Sequence, residues 1–112
     1  MLEVNTSKKD DATIVSIRGD VDLYSSPQVR KAIIALTAKR TPAILINLTE
    51  VGYMDSSGVA TLVEGLQQVG KYKGQFKIFG LASAVKEVFE LSRLDKVFDI
   101  HSDEAAALAS LK

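Results

Sequence analysis

Residues 43–48 read AILINL: Ala43, Ile44, Leu45, Ile46, Asn47 and Leu48. The run is short and almost continuously apolar. A strand with one wet face alternates apolar and polar residues, whereas a strand covered on both faces does not. This stretch therefore predicts a central strand. The residues after it set the class. Val59, Leu62, Val63, Leu66 and Val69 recur at helical spacing. Gly70 and Gly74 bracket the exit from that helix, and Phe76-Lys77-Ile78-Phe79 reads as another strand. Strand, helix, strand in succession favours parallel pairing through a right-handed crossover.

Working outward, the same alternation continues. Ala12 to Arg18 is β-branched and strand-like, and a shorter strand is expected at Leu2 to Thr6. The polar Ser7-Lys8-Lys9-Asp10-Asp11 between them suits a hairpin turn. Ser25-Ser26-Pro27 opens a helix, with serine at the cap and proline at the first helical position. Val29, Ala32, Ile33 and Leu36 carry its core side. Lys39-Arg40 suit its negative end, and Thr41-Pro42 stops it. Ser83 is placed to cap a helix bearing Val85, Val88, Phe89 and Leu91. Val97 to Ile100 reads as a last short strand, and Ser102-Asp103-Glu104 opens an alanine-rich terminal helix. The expectation is one α/β domain over residues 1–112. It has a mixed, mostly parallel sheet of four to five strands, an N-terminal hairpin and about four helices.

Composition removes several function classes. The chain has no cysteine, so disulfides and thiolate metal sites are absent. Lysine plus arginine equals aspartate plus glutamate at 14 each, without the basic excess that phosphate neutralisation demands of nucleic-acid binders. No apolar run reaches the roughly 20 residues that span a bilayer, and no signal peptide is legible. A soluble, cytoplasmic protein is expected, with no membrane insertion and no direct contact with nucleic acid.

Catalysis finds little support. His101 is the only histidine, near the C-terminus, and reads as a surface residue between strand and helix. The G-x-S-x-G elbow needs glycine on both sides of its serine, and Met54 stands where the first is required. A Ser–His hydrolase is not expected. Asp20, Asp22 and Asp55 are the only carboxylates placed to hold a hard cation, and turn formation explains them more simply. No phosphate-binding glycine loop is present, since Gly70 to Gly74 lies at a helix exit. No metal or cofactor is expected, and no enzymatic activity.

The most informative stretch is Tyr53-Met54-Asp55-Ser56-Ser57-Gly58-Val59, between the buried strand and the amphipathic helix. In parallel sheets, loops at the carboxyl ends of strands commonly carry function, and Gly19 to Ser26 occupies another such loop. One serine capping the helix is the ordinary reading. A phosphorylated serine is the regulatory one. Capping needs only one serine, and no Glu or Gln stands three residues on to complete a capping box. Gly58 in the first turn sacrifices about 1 kcal/mol of helix propensity, and reads as leaving a partner room to approach. The helix carries one charge, Glu64, between Ser56 and Gly70. Its expected outer face holds Ala60, Thr61, Gly65 and Gln68, small and weakly polar as suits docking.

With its flanks, this motif resembles the STAS domain, most nearly the stand-alone bacterial anti-sigma factor antagonists. MDSSG at 54–58, the preceding ILINL, IRGDVDLYSSPQVRKAI at 17–33 and FGLASAVKEVFELSRLDKVFDI at 79–100 carry the resemblance along essentially the whole chain. The resemblance implies partner switching. Such an antagonist binds an anti-sigma factor that is also a serine kinase and so frees a sigma factor. The kinase phosphorylates one serine and is released, and a serine phosphatase removes the mark. By position, Ser57 is the implied phosphorylation site. Asp20, Asp22, Asp55, Ser56, Gly58, Ala60, Thr61 and Glu64 are the implied partner-binding residues. Ala60 stands where many members have a second glycine, a departure expected to affect partner choice rather than fold. The alternative within the same resemblance is a subunit of a transport or signalling complex, with the helix as a docking surface that is never phosphorylated.

Overall fold

The computed structural model describes residues 2–111. The strands are β1 (Glu3–Lys9), β2 (Ala12–Arg18), β3 (Ala43–Glu50), β4 (Gln75–Phe79) and β5 (Asp99–His101). The helices are α1 (Ser26–Ala38), α2 (Ser56–Gly70), α3 (Ser83–Leu91) and α4 (Glu104–Ala109). The five strands form one sheet in the order β1-β2-β3-β4-β5. Only β1–β2 is antiparallel, and the remaining pairs are parallel. The mixed, mostly parallel α/β architecture is the one the sequence predicts.

Strand order matches chain order without reversal, so right-handed crossovers put successive helices on one face. Val29 and Ile33 of α1, Leu62 and Val69 of α2, and Val85 and Phe89 of α3 join Ile44, Ile46 and Leu48 in the main core. Alternate strand residues, Ile14, Leu45 and Phe79, face the other way and pack with Ala107 of α4. This explains the unbroken apolar run at 44–46, since β3 is covered on both sides. A fully buried leucine such as Leu62 contributes about 2–3 kcal/mol by leaving water.

Several boundaries differ from the sequence reading, each for a local reason. β1 runs to Lys9 rather than Thr6, because a two-residue turn at Asp10-Asp11 closes the hairpin with Lys9 opposite Ala12. Asp10 supplies the positive φ of 56° that such a turn requires. The last strand begins at Asp99 rather than Val97, since a 3₁₀ turn at Leu94–Lys96 precedes it. Phe98 plugs the core there, against Phe89 at 5.4 Å and Phe76 at 6.3 Å between ring centroids. Leu91 and Val97, expected to be apolar positions of packed elements, lie in solvent. Ser83 does not cap α3. The cap position is Ala82, with no side-chain bond.

Candidate functional site

Two loops meet at the carboxyl ends of β2 and β3. The Val21 N–H donates to the Tyr53 carbonyl at 3.0 Å, and the Asp55 N–H donates to the Val21 carbonyl at 3.1 Å. These bonds form an isolated parallel bridge between Val21 and Met54, whose side chains are both buried. The bridge extends β2–β3 pairing past the sheet and brings the segment holding Asp20 and Asp22 beside the segment holding Asp55, Ser56 and Ser57.

The first loop is locked by Asp22 and Ser25. One Asp22 carboxylate oxygen accepts the N–H groups of Tyr24 and Ser25, both at 2.9 Å. Ser25 Oγ accepts the Asp22 N–H at 2.9 Å and donates to the Asp20 carbonyl at 2.8 Å. The Ser25 N–H, with smaller help from its hydroxyl and the Tyr24 N–H, holds the Asp22 carboxyl below its ordinary value. The sequence expectation of a capping serine with proline at the first helical position is corrected: Ser26 is the first helical residue and Pro27 the second, so the serine at the boundary is Ser25. It occupies the cap position but makes no side-chain cap bond, because its hydroxyl ties down the loop instead.

The second loop answers the capping question. The cap of α2 is Asp55, in extended backbone, and neither serine serves. Asp55 Oδ1 accepts the Ser57 N–H at 2.9 Å and the Gly58 N–H at 3.3 Å. That satisfies two of the N–H groups a helix start leaves unpaired. Ser56 is exposed and Ser57 half-buried. Neither hydroxyl makes a hydrogen bond among the described residues.

Other candidate residues divide between the surface and the scaffold. Ala60 is exposed on α2, as expected. Thr61 and Gly65 are buried, which corrects their placement on an outer face, and Gly58, expected to leave a partner room to approach, is buried too. A Cβ on Gly58 would stand 2.6 Å from Met54 Cγ and 2.8 Å from Val21 Cγ1. The glycine therefore admits the Val21–Met54 bridge, rather than clearing a path for a partner. A Cβ on Gly65 would meet Ile33 and Phe76 at 2.9 and 3.0 Å, so that position sets how closely α2 approaches α1 and β4. Thr61 Oγ1 donates to the Ser57 carbonyl at 3.0 Å. Glu64 forms a two-pronged ion pair with Arg30 of α1, both contacts at 2.7 Å. Between α2 and α3 lies a groove of about 400 Å³ floored by Val59, Val63, Val88 and Leu94, opening beside Ser56.

Sequence reasoning missed three residues. Leu23, Tyr24 and Tyr53 are 65%, 89% and 52% exposed, and they account for three of the five large apolar side chains in solvent among the described residues. All three lie on these two loops. The available signal was Leu23-Tyr24, two large side chains enclosed by turn-forming Asp22 and Ser25.

Asp20, Asp22 and Asp55 pair with no lysine or arginine among the described residues, so this end of the sheet is acidic. No group of three or more potential metal ligands occurs among the described residues, and no described helix is long and apolar enough to cross a membrane. His101 ends β5 half-buried, with Nε2 3.0 Å from an Asp99 oxygen and 3.3 Å from Ser110 Oγ, and β5 lies two strands along the sheet from β3, whose following loop leads to Ser57.

The STAS domain family model matches residues 3–107. The chain belongs to the STAS domain family. The anti-sigma-B factor antagonist of Listeria monocytogenes is 27% identical over 104 residues, covering 92% of this STAS domain and 91% of the relative. The crystal structure of an anti-sigma factor antagonist from Mycobacterium paratuberculosis superposes with a TM-score of 0.91 at 27% identity, covering 98% of this chain and 93% of that one. The Bacillus cell fate determinant SpoIIAA, solved in its phosphorylated form, shares the STAS fold at 18% identity, with a TM-score of 0.75 and coverage of 98% and 100%.

Proposed function

We propose that this STAS domain is an anti-sigma factor antagonist, switched by phosphorylation of Ser57. It binds an anti-sigma factor with serine kinase activity and so releases a sigma factor. The kinase transfers the γ-phosphoryl group of ATP to Ser57 Oγ. The new O–P bond replaces the bond to ADP, and the hydroxyl proton passes to the kinase's base. A serine phosphatase restores the hydroxyl. The reading is supported chiefly by one observation: Asp55 performs the capping, which leaves the Ser57 hydroxyl without a structural task. The names of the relatives point the same way.

The cap geometry also supports a mechanism of release. A phosphate at a helix start is ordinarily welcomed by free N–H groups and the dipole. Here the Ser57 and Gly58 N–H groups already belong to Asp55. The phosphate therefore gains little from the backbone and stands beside a carboxylate. It remains a hydrated dianion that a closing partner would have to strip of water. A loss of 3 kcal/mol weakens binding about a hundredfold, sufficient for a switch without rearrangement of the fold.

The test is incubation of the purified domain with ATP and each purified anti-sigma factor kinase of the source bacterium, with peptide mapping by mass spectrometry afterwards. One phosphate on Ser57, absent in Ser57→Ala, with loss of the complex on modification, is the expected result. A domain that no such kinase binds or modifies would refute the proposal.

A further inference from the structure

We infer that Leu23 and Tyr24 form the anchor by which this surface grips its partner, and that Asp22 acts by positioning them rather than by touching the partner. The inference rests on the reading of the two loops as a docking surface for an anti-sigma factor kinase.

Tyr24 is 89% exposed and Leu23 65% exposed. Ordinarily, large side chains at a loop tip are mobile, and ordering them opposes binding. This tip is already ordered. Its Tyr24 and Ser25 N–H groups are held by the Asp22 carboxylate. The Ser26 N–H donates to the Asp22 carbonyl at 2.8 Å, and the adjacent Val21 is bridged to Met54. The loop's hydrogen bonds thus hold an apolar pair outside the fold. Hot spots of interfaces are enriched in such rigid tyrosines, seated in pockets. The same bridge sets this tip beside the loop that carries Tyr53 and Ser57, so one partner face would cover both.

The surroundings specify the partner's chemistry. Asp20, Asp22 and Asp55 have no cationic partner among the described residues. A complementary face is an apolar socket for Tyr24 and Leu23 with a lysine or arginine rim over Asp20 and Asp55, the Asp22 carboxylate being engaged by the loop's own N–H groups. Charge around a socket acts mainly on the association rate and fades with salt.

The experiment measures binding kinetics with the kinase that modifies Ser57, against wild type, Leu23→Ala, Tyr24→Ala, Asp22→Ala and the Asp22→Ala/Tyr24→Ala pair. Leu91→Ala serves as control, being 78% exposed on α3. Tyr24→Ala is expected to raise Kd about thirtyfold or more, chiefly through dissociation. Leu23→Ala should raise it severalfold, and Leu91→Ala should leave it within about twofold, with all circular dichroism spectra unchanged. Asp22→Ala should weaken binding, speed amide exchange at residues 22–25 and add little once Tyr24 is gone. Additive losses would show that Asp22 is itself a contact. Wild-type association that is insensitive to salt would remove the cationic rim. Binding by Tyr24→Ala within threefold of wild type would overturn the anchor while leaving the switch intact. A wild-type domain that no kinase binds would instead overturn the reading beneath it.

Discussion

Gly58 offers the sharpest test of how the site is built. Alanine is the better helix former by about 1 kcal/mol, so helix propensity alone predicts that Gly58→Ala stabilises α2. The structure predicts the reverse. The new methyl group would lie 2.6 Å from Met54 Cγ and 2.8 Å from Val21 Cγ1. Neither neighbour can retreat easily, because both are at most 2% exposed and their backbones form the bridge between the loops. Inserting a methyl group into such packing costs about 1–3 kcal/mol. Set against the propensity gain, the net expectation is a destabilisation of up to about 2 kcal/mol, a fall in Tm of up to about 8 °C for a domain of this size. The loops should part as well, weakening partner binding. Gly70→Ala is the internal control on the same helix, since no atom lies within 4 Å of its would-be Cβ. It should stabilise by about 0.5 kcal/mol. Thermal and urea melts of both variants decide the matter. Gly58→Ala at or above wild-type stability would refute the close-packing account and restore the idea that this glycine only clears space.

The same geometry predicts three further outcomes. Ser57→Asp should fold with a native circular dichroism spectrum and a Tm only a few degrees lower, because its carboxylate meets Asp55 at a helix start where Asp55 already holds the N–H groups of positions 57 and 58. An unfolded Ser57→Asp would contradict that. Lys77 is 6% exposed and paired with Asp99. Asp99→Ala, which strands a buried cation, should cost about 2–4 kcal/mol in urea melts, whereas Lys77→Met should stay within about 1 kcal/mol of wild type. The Asp22 carboxyl is held below its ordinary value of 3.8, so its contribution is complete above that pH and is lost as pH falls through the lowered folded value. The Tm gap between wild type and Asp22→Ala should therefore be constant near neutrality and shrink as the pH falls below 3.8. A gap that widens in acid would invert the sign.

Much of the fold was legible because it arises from burial. Ile44, Leu45 and Ile46 are apolar without alternation because α1–α3 cover one side of β3 and α4 the other. The stripe of α2 read correctly for the same reason. The inferences that failed depend on how one element meets another. Thr61 and Gly65 look like an outer face on a helical wheel drawn against the sheet alone. In three dimensions α2 touches α1 as well, through Gly65 against Ile33 and Glu64 against Arg30. A helix between neighbours has two buried sides, and a single stripe does not reveal the second. Leu91 failed in the opposite sense: its spacing suited the core, but Phe89 takes the buried side of the last turn and Leu91, the final helical residue, stands in solvent.

The site was legible in its position and misread in its division of labour. Serine, threonine and aspartate all serve as caps, so a run of Asp55-Ser56-Ser57 does not declare which residue does so. The choice rests on backbone conformation. Asp55 is extended, while Ser56 already belongs to the helix, so only the acid can turn its side chain back onto the first N–H groups. The same ambiguity at Asp22 and Ser25 resolved the same way, with the carboxylate taking the backbone donors and the serine hydroxyl fastening the loop. Two acids thus do the structural work at neighbouring loops. The groups this frees are different in kind: at one loop a nucleophilic hydroxyl, at the other an apolar pair in solvent. The Ser57 hydroxyl makes no hydrogen bond among the described residues, Leu23 and Tyr24 stand mostly in solvent, and both groups lie on loops joined by the Val21–Met54 bridge. A surface that the fold holds rigid but does not use is best explained by something outside the chain.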